Sequence, residues 1–66
     1  MSLHFATFTA SNGKKFAIDS KRVEQYFEDS DGHVTIVWID MKCERNVAQA
    51  IQSYKEVHYA LQRAAY

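Results

Sequence analysis

One run of eight residues constrains this chain more than any other feature. Residues 33–40 (HVTIVWID) are its most apolar stretch, and they follow the turn dipeptide Asp31-Gly32. A short run rich in β-branched and aromatic residues that follows a turn favours a strand over a helix. Apolar side chains alternate onto both faces of such a strand, so both faces need cover. We therefore predict that residues 33–40 form the central strand of a sheet.

Three segments before this run alternate apolar and polar residues as strands do. The first two are joined by Asn12-Gly13, a dipeptide typical of a type I′ hairpin turn because both residues tolerate positive φ. The connections between all the segments are short, which favours an antiparallel meander. The three predicted strands are residues 3–10, 14–19 and 22–28.

The alternation in these strands also predicts which side chains are buried. In the second strand, Phe16 and Ile18 should face the core. In the third, Val23 and Phe27 fall in the row that we expect to face the core. Tyr26 falls between two glutamates in the opposite row, which we expect to be solvated.

The sequence after Asp40 supports two interpretations. Apolar residues recur at spacings of three and four from Val47 onward, as on one face of a helix whose N-cap is near Asn46. Alternatively, residues 41–48 form a fifth strand and the helix begins at Ser53. We favour the long helix, because no Gly, Asn or Pro marks a turn directly after Asp40 and residues 48–52 are rich in Ala and Gln.

The second interpretation is supported by a local signal. Ser53 and Glu56 have the spacing of a capping box, in which the Ser hydroxyl and the Glu carboxylate accept hydrogen bonds from free backbone N–H groups. Both interpretations end the chain with a helix.

These patterns predict a single α+β domain over residues 1–66. It is an antiparallel meander of four strands, or five in the second interpretation, packed against one C-terminal helix. A chain of this length is near the lower size limit for folding without a disulfide or a metal. The expected core consists of Phe5, Phe16, Ile18, Val23, Phe27, Ile36 and Trp38 from the sheet and Ile51, Tyr54, Val57 and Leu61 from the helix.

Composition limits the compartment and the partners. Eight basic and eight acidic residues give a formal net charge of zero, so nothing attracts the whole chain to nucleic acid or to an anionic membrane. Cys43 is the sole cysteine, which excludes an internal disulfide and fits a reducing compartment. No apolar run approaches the roughly 20 residues of a membrane span, and the N-terminus lacks a signal-peptide pattern. We therefore expect a cytoplasmic protein.

No residue spacing indicates catalysis or a cofactor. Zinc sites need closely spaced ligand pairs, and Cys43 and the three histidines have no such spacing. Asp19, Asp40 and Glu44 could supply a carboxylate pair for acid–base chemistry, but they are more simply strand-end and first-turn acids. The two glycines belong to hairpins, which leaves no Gly-rich phosphate loop. We predict that the chain is not an enzyme and holds neither metal nor cofactor.

The aromatic content points to protein binding. Four Phe, four Tyr and one Trp are more than a two-layer core of this size needs, so some should lie at a surface that another molecule covers. Tyr and Arg are enriched among interface hot spots. We predict a protein-interaction module, either a homodimer or a binder of another protein, with Tyr26, Tyr54, Tyr59, Arg63 and Tyr66 as candidate interface residues.

Binding of single-stranded nucleic acid or of a nucleotide is the rival prediction. A sheet backed by a helix can offer aromatic rings for base stacking, as Tyr26 could. The flanking Glu24 and Glu28 oppose this, because they would repel phosphate. The candidate phosphate contacts are Lys14, Lys15, Lys21 and Arg22.

Several short motifs resemble those of a known family. NGKKFAID from Asn12, the VTI strand from Val34 and SYKEV from Ser53 occur in the order found in small bacterial and phage proteins of the flagellar FlbD (swarming motility) type. The resemblance covers most of residues 12–61, although this chain lacks that family's second Gly-Lys turn and inserts residues between Val47 and Ser53. The resemblance implies a non-catalytic accessory protein of a bacterium or its phage. We therefore predict that the interaction module works as an accessory or inhibitory factor.

Overall fold

The computed structural model describes residues 4–64, which form five strands followed by one helix. The α+β class and the antiparallel pairing of the strands are confirmed. The predictions that concern residues 1–3, Ala65 and Tyr66 lie outside the described residues. The elements are β1 (Phe5–Thr9), β2 (Lys15–Asp19), a 3-10 turn (Ser20–Arg22), β3 (Val23–Glu28), β4 (Val34–Ile39), β5 (Arg45–Ala50) and α1 (Tyr54–Ala64).

The strands form two sheets, so the predicted single meander sheet is wrong. One sheet is the β1–β2 hairpin, and the other has the order β3–β4–β5. The 3-10 turn separates them, because it redirects the chain before β3 can pair with β2. Asp19 caps this turn by accepting a hydrogen bond from the backbone N–H of Lys21 at 3.0 Å. The sheets meet at one corner, where Ala10 bridges Ala50 and the Ile51 N–H donates to the Thr9 carbonyl at 2.8 Å.

Strand β4 is central, as its apolar run predicted. It pairs with β3 on one side and with β5 on the other. Four successive residues from Val34 to Val37 are buried, and Trp38 and Ile39 are partly buried. Trp38 stacks on Phe16 with ring centroids 6.1 Å apart, so β4 also contacts the β1–β2 hairpin through its side chains.

The long helix from Asn46 is wrong, and the alternative with a fifth strand is confirmed, although the strand spans Arg45–Ala50 and not the predicted residues 41–48. Strand β5 pairs with β4 along its whole length. The helix begins after Ser53, whose N–H donates to Glu56 Oε1 at 3.0 Å while its hydroxyl accepts from the Glu56 N–H at 3.2 Å. This reciprocal pair is the predicted capping box, and it satisfies two donors at the start of the helix. Among residues 4–64, no helix combines the length and the apolar character needed to cross a membrane.

The three hairpin turns share one backbone geometry. In each, an N–H donates to the carbonyl three residues earlier: Gly13 to Ala10, Gly32 to Asp29, and Cys43 to Asp40, at 2.9, 3.1 and 3.0 Å. The donor residue has positive φ in every case. This is a type I turn followed by a left-handed residue, as in three-residue hairpin loops. The predicted type I′ turn at Asn12-Gly13 is therefore wrong, because Gly13 has positive φ and Asn12 does not.

The third turn explains why its hairpin was missed. Cys43 takes the left-handed position with φ 63°, where the other two turns have glycine. The Asp40 carboxylate compensates by accepting hydrogen bonds from the N–H groups of Lys42 and Glu44 at 2.9 and 3.0 Å, and from Asn46 Nδ2 at 2.8 Å. With cysteine at the left-handed position, this turn lacks the glycine signal that marks the other two.

We expect Cys43→Gly to stabilise the protein. Glycine removes the steric cost of a left-handed residue, and its greater freedom in the unfolded chain offsets part of that gain. The free energy of unfolding should rise by about 0.5–1 kcal/mol in urea titrations. Cys43→Ala controls for loss of the thiol, and the reverse change at the equivalent position, Gly32→Ala, should destabilise. The account of the turn fails if Cys43→Gly is no more stable than Cys43→Ala.

The hydrogen bonds to Asp40 also predict a pH dependence. Donation from Asn46 Nδ2 and then from the Glu44 N–H lowers the pKa of the Asp40 carboxyl below its ordinary value. A depressed pKa in the folded state gives stability that is present above the unfolded pKa and is lost as the pH falls through the folded value. The melting temperature should therefore decrease when the pH is lowered below about 4. Asp40→Asn should have a lower melting temperature than the wild type at neutral pH, and its melting temperature should decrease less on acidification. An acid dependence equal to that of the wild type would contradict this prediction.

The core lies between the two sheets and the helix. Val57 and Leu61 of α1 pack against buried residues of β1, β2 and β4, and Phe16, Val23, Tyr26 and Trp38 border this cluster. Several core predictions are therefore confirmed. Four are wrong, because their side chains are about half exposed: Phe5, Phe27, Ile51 and Tyr54.

The two misplaced phenylalanines have different physical causes. Strand β1 carries Phe on both faces, and the structure buries Ala6 and Phe8 while Phe5 is 56% exposed. In β3, the register shifts between Val23 and Gln25, so that Glu24 is an extra residue opposite β4. Such a bulge reverses the alternation beyond it. Val23 and Tyr26 consequently border the core, and Phe27 lies on the opposite face.

Candidate functional site

Helix α1 presents an aromatic side to solvent. Val57 and Leu61 bury one side of the helix, and residues at other positions around the helix remain exposed. Tyr54 is 42% exposed and Tyr59 is 62% exposed. The capping box fixes the first turn of the helix, and with it the position of Tyr54.

The bulge in β3 brings Tyr26 to this side of the molecule. The Tyr26 hydroxyl and His58 Nδ1 are hydrogen bonded at 2.6 Å. The Tyr26 and Tyr54 ring centroids lie 5.5 Å apart, and Tyr54 and His58 are stacked with ring planes 11° apart. Ring pairs at these separations interact favourably and restrict each other's rotamers. Three rings from two elements are therefore held in a defined arrangement before any partner binds.

Two cations border the rings. The Arg63 guanidinium lies 5.5 Å from the centroid of the Tyr59 ring, within the range of a cation–π contact. Tyr54, Lys55, His58 and Tyr59 line an open depression of about 400 Å³. We call the combined surface the aromatic face, and it consists of Tyr26, Tyr54, Lys55, His58, Tyr59 and Arg63.

The aromatic face is suited to binding, and the Tyr26 phenol within it is not an activated nucleophile. Burial raises the pKa of Tyr26, and the neighbouring Tyr54 raises it further. The hydroxyl is therefore neutral at physiological pH and forms a hydrogen bond with the imidazole. Tyrosine combines a large apolar area with a hydrogen-bonding group at low cost in conformational entropy, which suits a contact surface.

The four candidate phosphate contacts do not converge. Lys14 and Lys15 lie at the turn between β1 and β2, whereas Lys21 and Arg22 follow the far end of β2. A five-residue strand separates the two pairs by about 13 Å. Arg22 is also engaged, since its Nη1 donates to the Asp40 carbonyl at 3.3 Å and its Nε lies 3.8 Å from Asp19 Oδ2.

A second depression, of about 300 Å³, lies where the β1–β2 hairpin meets the end of β4. Phe5, Trp38 and Met41 give it an apolar lining, and Arg22 and Asp40 lie at the same place. The hydrogen bond from Arg22 to the Asp40 carbonyl already uses one polar donor and one acceptor of this site. Its chemistry is thus mainly apolar.

The turn between β3 and β4 brings together the potential metal ligands Asp29, Asp31 and His33, whose ligand atoms lie within 4.8 Å of one another. Asp29 already accepts hydrogen bonds from the N–H groups of Asp31 and His33 through Oδ1, and from Gln49 Nε2 through Oδ2. Exposed turns rich in Asp commonly close in this way. We interpret the cluster as a structural turn.

Four of the five predicted interface residues lie on the aromatic face: Tyr26, Tyr54, Tyr59 and Arg63. Tyr66 is outside the described residues. Lys55 and His58 also belong to the aromatic face but were not predicted as interface residues. Their spacing of four from Tyr59 and Tyr54 was the available signal, because side chains four residues apart are neighbours on a helix.

Comparison of the sequence with protein-family models and curated proteins, and of the fold with solved structures, found no match. The function therefore has to be inferred from the residues and geometry of this chain.

Proposed function

We propose that this chain is a non-enzymatic protein-interaction module that binds a partner protein through the aromatic face. In keeping with its resemblance to FlbD-type proteins, it works as an accessory or inhibitory factor in the cytoplasm of a bacterium, encoded by the bacterium or its phage. The observation that carries the proposal is the ordered contact of Tyr26 with Tyr54 and His58 at an exposed surface.

The composition of this surface supports protein binding. Interfaces are enriched in Tyr and Arg, and their hot spots need side chains that lose little entropy on binding. Mutual ring contacts already restrict Tyr26, Tyr54 and His58, and Arg63 is held over Tyr59. A partner that covers these rings would therefore gain apolar burial at a small ordering cost.

Site-specific photo-crosslinking tests the proposal in the cells that carry the gene. A benzophenone amino acid replaces Tyr59, and the matched control carries it at Thr7, an exposed position of β1. We expect Tyr59 to give a discrete crosslinked protein that Thr7 does not give. An excess of unlabelled wild-type protein should abolish this crosslink by competition, whereas an excess of the Tyr54→Ala variant should not.

Two results would count against protein binding at this surface. One is a crosslink from Tyr59 that resists competition by the wild type. The other is equal competition by wild type and Tyr54→Ala, provided that circular dichroism shows the variant to be folded. The second result would place the contact away from Tyr54.

Binding of single-stranded nucleic acid or of a nucleotide is the second candidate function. One observation favours it: the stacked rings adjoin Lys55, a combination that can accept a base and its phosphate. This function predicts salt-dependent binding of a fluorescent single-stranded oligonucleotide, weakened by Lys55→Ala and, to a smaller extent, by Lys14→Ala or Lys15→Ala. A flat titration at low salt would remove it.

A further inference from the structure

The face of the β3–β4–β5 sheet that points away from the core has an apolar middle and polar ends. Side chains alternate along β4, so Val34 and Ile36 enter the core while Thr35, Val37 and Ile39 point the other way. The residues beside them on β3 and β5 complete what we call the outer sheet face. Its members are Gln25, Phe27, Thr35, Val37, Ile39, Arg45, Val47 and Gln49.

Part of this face is apolar and open to solvent. Phe27 is 46% exposed and Val47 is 62% exposed, on the two strands that flank β4. Val37 between them is only 6% exposed, because its neighbours on both strands surround it. The open apolar area is thus a strip that crosses the sheet.

Two polar bridges bound the strip, and both run in the same direction. Arg45 Nε lies 2.9 Å from Glu24 Oε1 at one end. Gln49 Nε2 donates to Asp29 Oδ2 at 2.7 Å at the other end. Both bridges reach from β5 across β4, a span of about 10 Å between flanking strands. The donors therefore line the β5 side of the strip and the carboxylates line the β3 side.

This arrangement is self-complementary under one two-fold rotation. An axis parallel to β4, between two stacked sheets, places β3 of one copy over β5 of the other. Arg45 then faces Glu24 of the second copy, and Gln49 faces its Asp29. Phe27 of each copy lies over the β5 side of the other copy, at the level of Gln49. An axis perpendicular to the strands would instead place Glu24 over Asp29, two like charges, which disfavours it.

We propose that the outer sheet face binds a second copy of this chain about a two-fold axis parallel to β4. The zero net charge of the chain adds no overall repulsion between copies. The outer sheet face is about 20 Å long and about 14 Å wide, so its footprint is on the order of 300 Å² per copy and the dimer is weak. The face lies opposite the aromatic face, so the proposal does not depend on the function assigned there.

Sedimentation equilibrium of the 66-residue chain from about 10 µM to about 1 mM covers the range expected for such an interface. We expect a reversible dimer. Val47→Lys should weaken it at least tenfold, and this variant should fold because position 47 is mostly exposed. Tyr59→Ala, on the aromatic face, should leave the dissociation constant unchanged.

A charge exchange tests the axis itself. The double variant Glu24→Arg with Arg45→Glu keeps the bridge within each chain and should dimerise as the wild type does. In a mixed dimer, however, Arg45 of the wild type faces an arginine. Fluorescence anisotropy of N-terminally labelled wild type should therefore show at least tenfold weaker binding to the double variant than to wild type.

Three outcomes would overturn the proposal. The first is a strict monomer at 1 mM, the concentration at the upper end of the weak range. The second is a dimer that Tyr59→Ala abolishes and Val47→Lys does not, which would move self-association to the aromatic face. The third is binding between the wild type and the double variant that is as strong as binding between two wild-type copies.

Discussion

Phe8→Ala should unfold most of this protein, and Phe5→Ala should change its stability little. Both residues lie on β1, but Phe8 is fully buried and Phe5 is 56% exposed. Truncation of a buried Phe costs about 3–5 kcal/mol. A domain below about 70 residues rarely has more than 3–5 kcal/mol of stability in total, so the Phe8 variant should be largely unfolded without denaturant.

Urea titrations followed by circular dichroism measure this contrast. Phe5→Ala is the matched control, because it deletes the same atoms from the same strand. We expect Phe5→Ala to lower the free energy of unfolding by less than about 1 kcal/mol, as surface substitutions usually do. Equal losses for the two variants, or a larger loss for Phe5→Ala, would mean that β1 turns its other face to the core.

Val57→Asp should detach helix α1 from the sheets. Val57 is fully buried in the cluster that also holds Leu61, and an unpaired carboxylate there costs several kcal/mol. We expect loss of the cooperative thermal transition together with binding of a hydrophobic dye, because helix detachment exposes β1 and β4.

The control for this change is Gln62→Asp, which adds the same carboxylate at an exposed position of α1. It should keep a cooperative transition, and its free energy of unfolding should decrease by less than about 1 kcal/mol, mainly because a carboxylate near the C-terminus interacts unfavourably with the helix dipole. If Val57→Asp melts like Gln62→Asp, the helix does not pack as described.

The sequence predicted those parts of the fold that have a strong local signal. The run around Ile36 marked the central strand, because its length and β-branched content fit no other element. Phe16 and Ile18 showed a clean alternation. Ser53 and Glu56 marked the true start of the helix. In each case, the residues that carry the signal also make the stabilising contacts.

The errors came from features that depend on tertiary structure. Val47 and Ala50 are three residues apart, as on one face of a helix, but pairing with β4 places them on opposite faces of strand β5. The Cys43 turn has cysteine at the left-handed position, so it lacks the glycine that marks the other two turns. The bulge at Glu24 reverses the alternation in β3, and no residue type marks it.

The sequence predicted which residues belong to the candidate site better than it predicted how they contact one another. Residue types alone selected Tyr26, Tyr54, Tyr59 and Arg63. They gave no account of the contact between Tyr26 and the helix, because the unbulged alternation placed Tyr26 in a solvated row. Tertiary structure, through the bulge and the docking of α1, creates the aromatic face.

The aromatic face depends on the contact of Tyr26 of β3 with Tyr54 and His58 of α1. A two-dimensional NOE spectrum of the protein in solution tests it most directly, because ring centroids 5.5 Å apart bring ring protons within NOE range. We predict cross-peaks from the Tyr26 ring to the rings of Tyr54 and His58. Cross-peaks from Tyr26 to Val37 on the opposite face of the sheet, without any to the helix, would contradict the bulge and the aromatic face together.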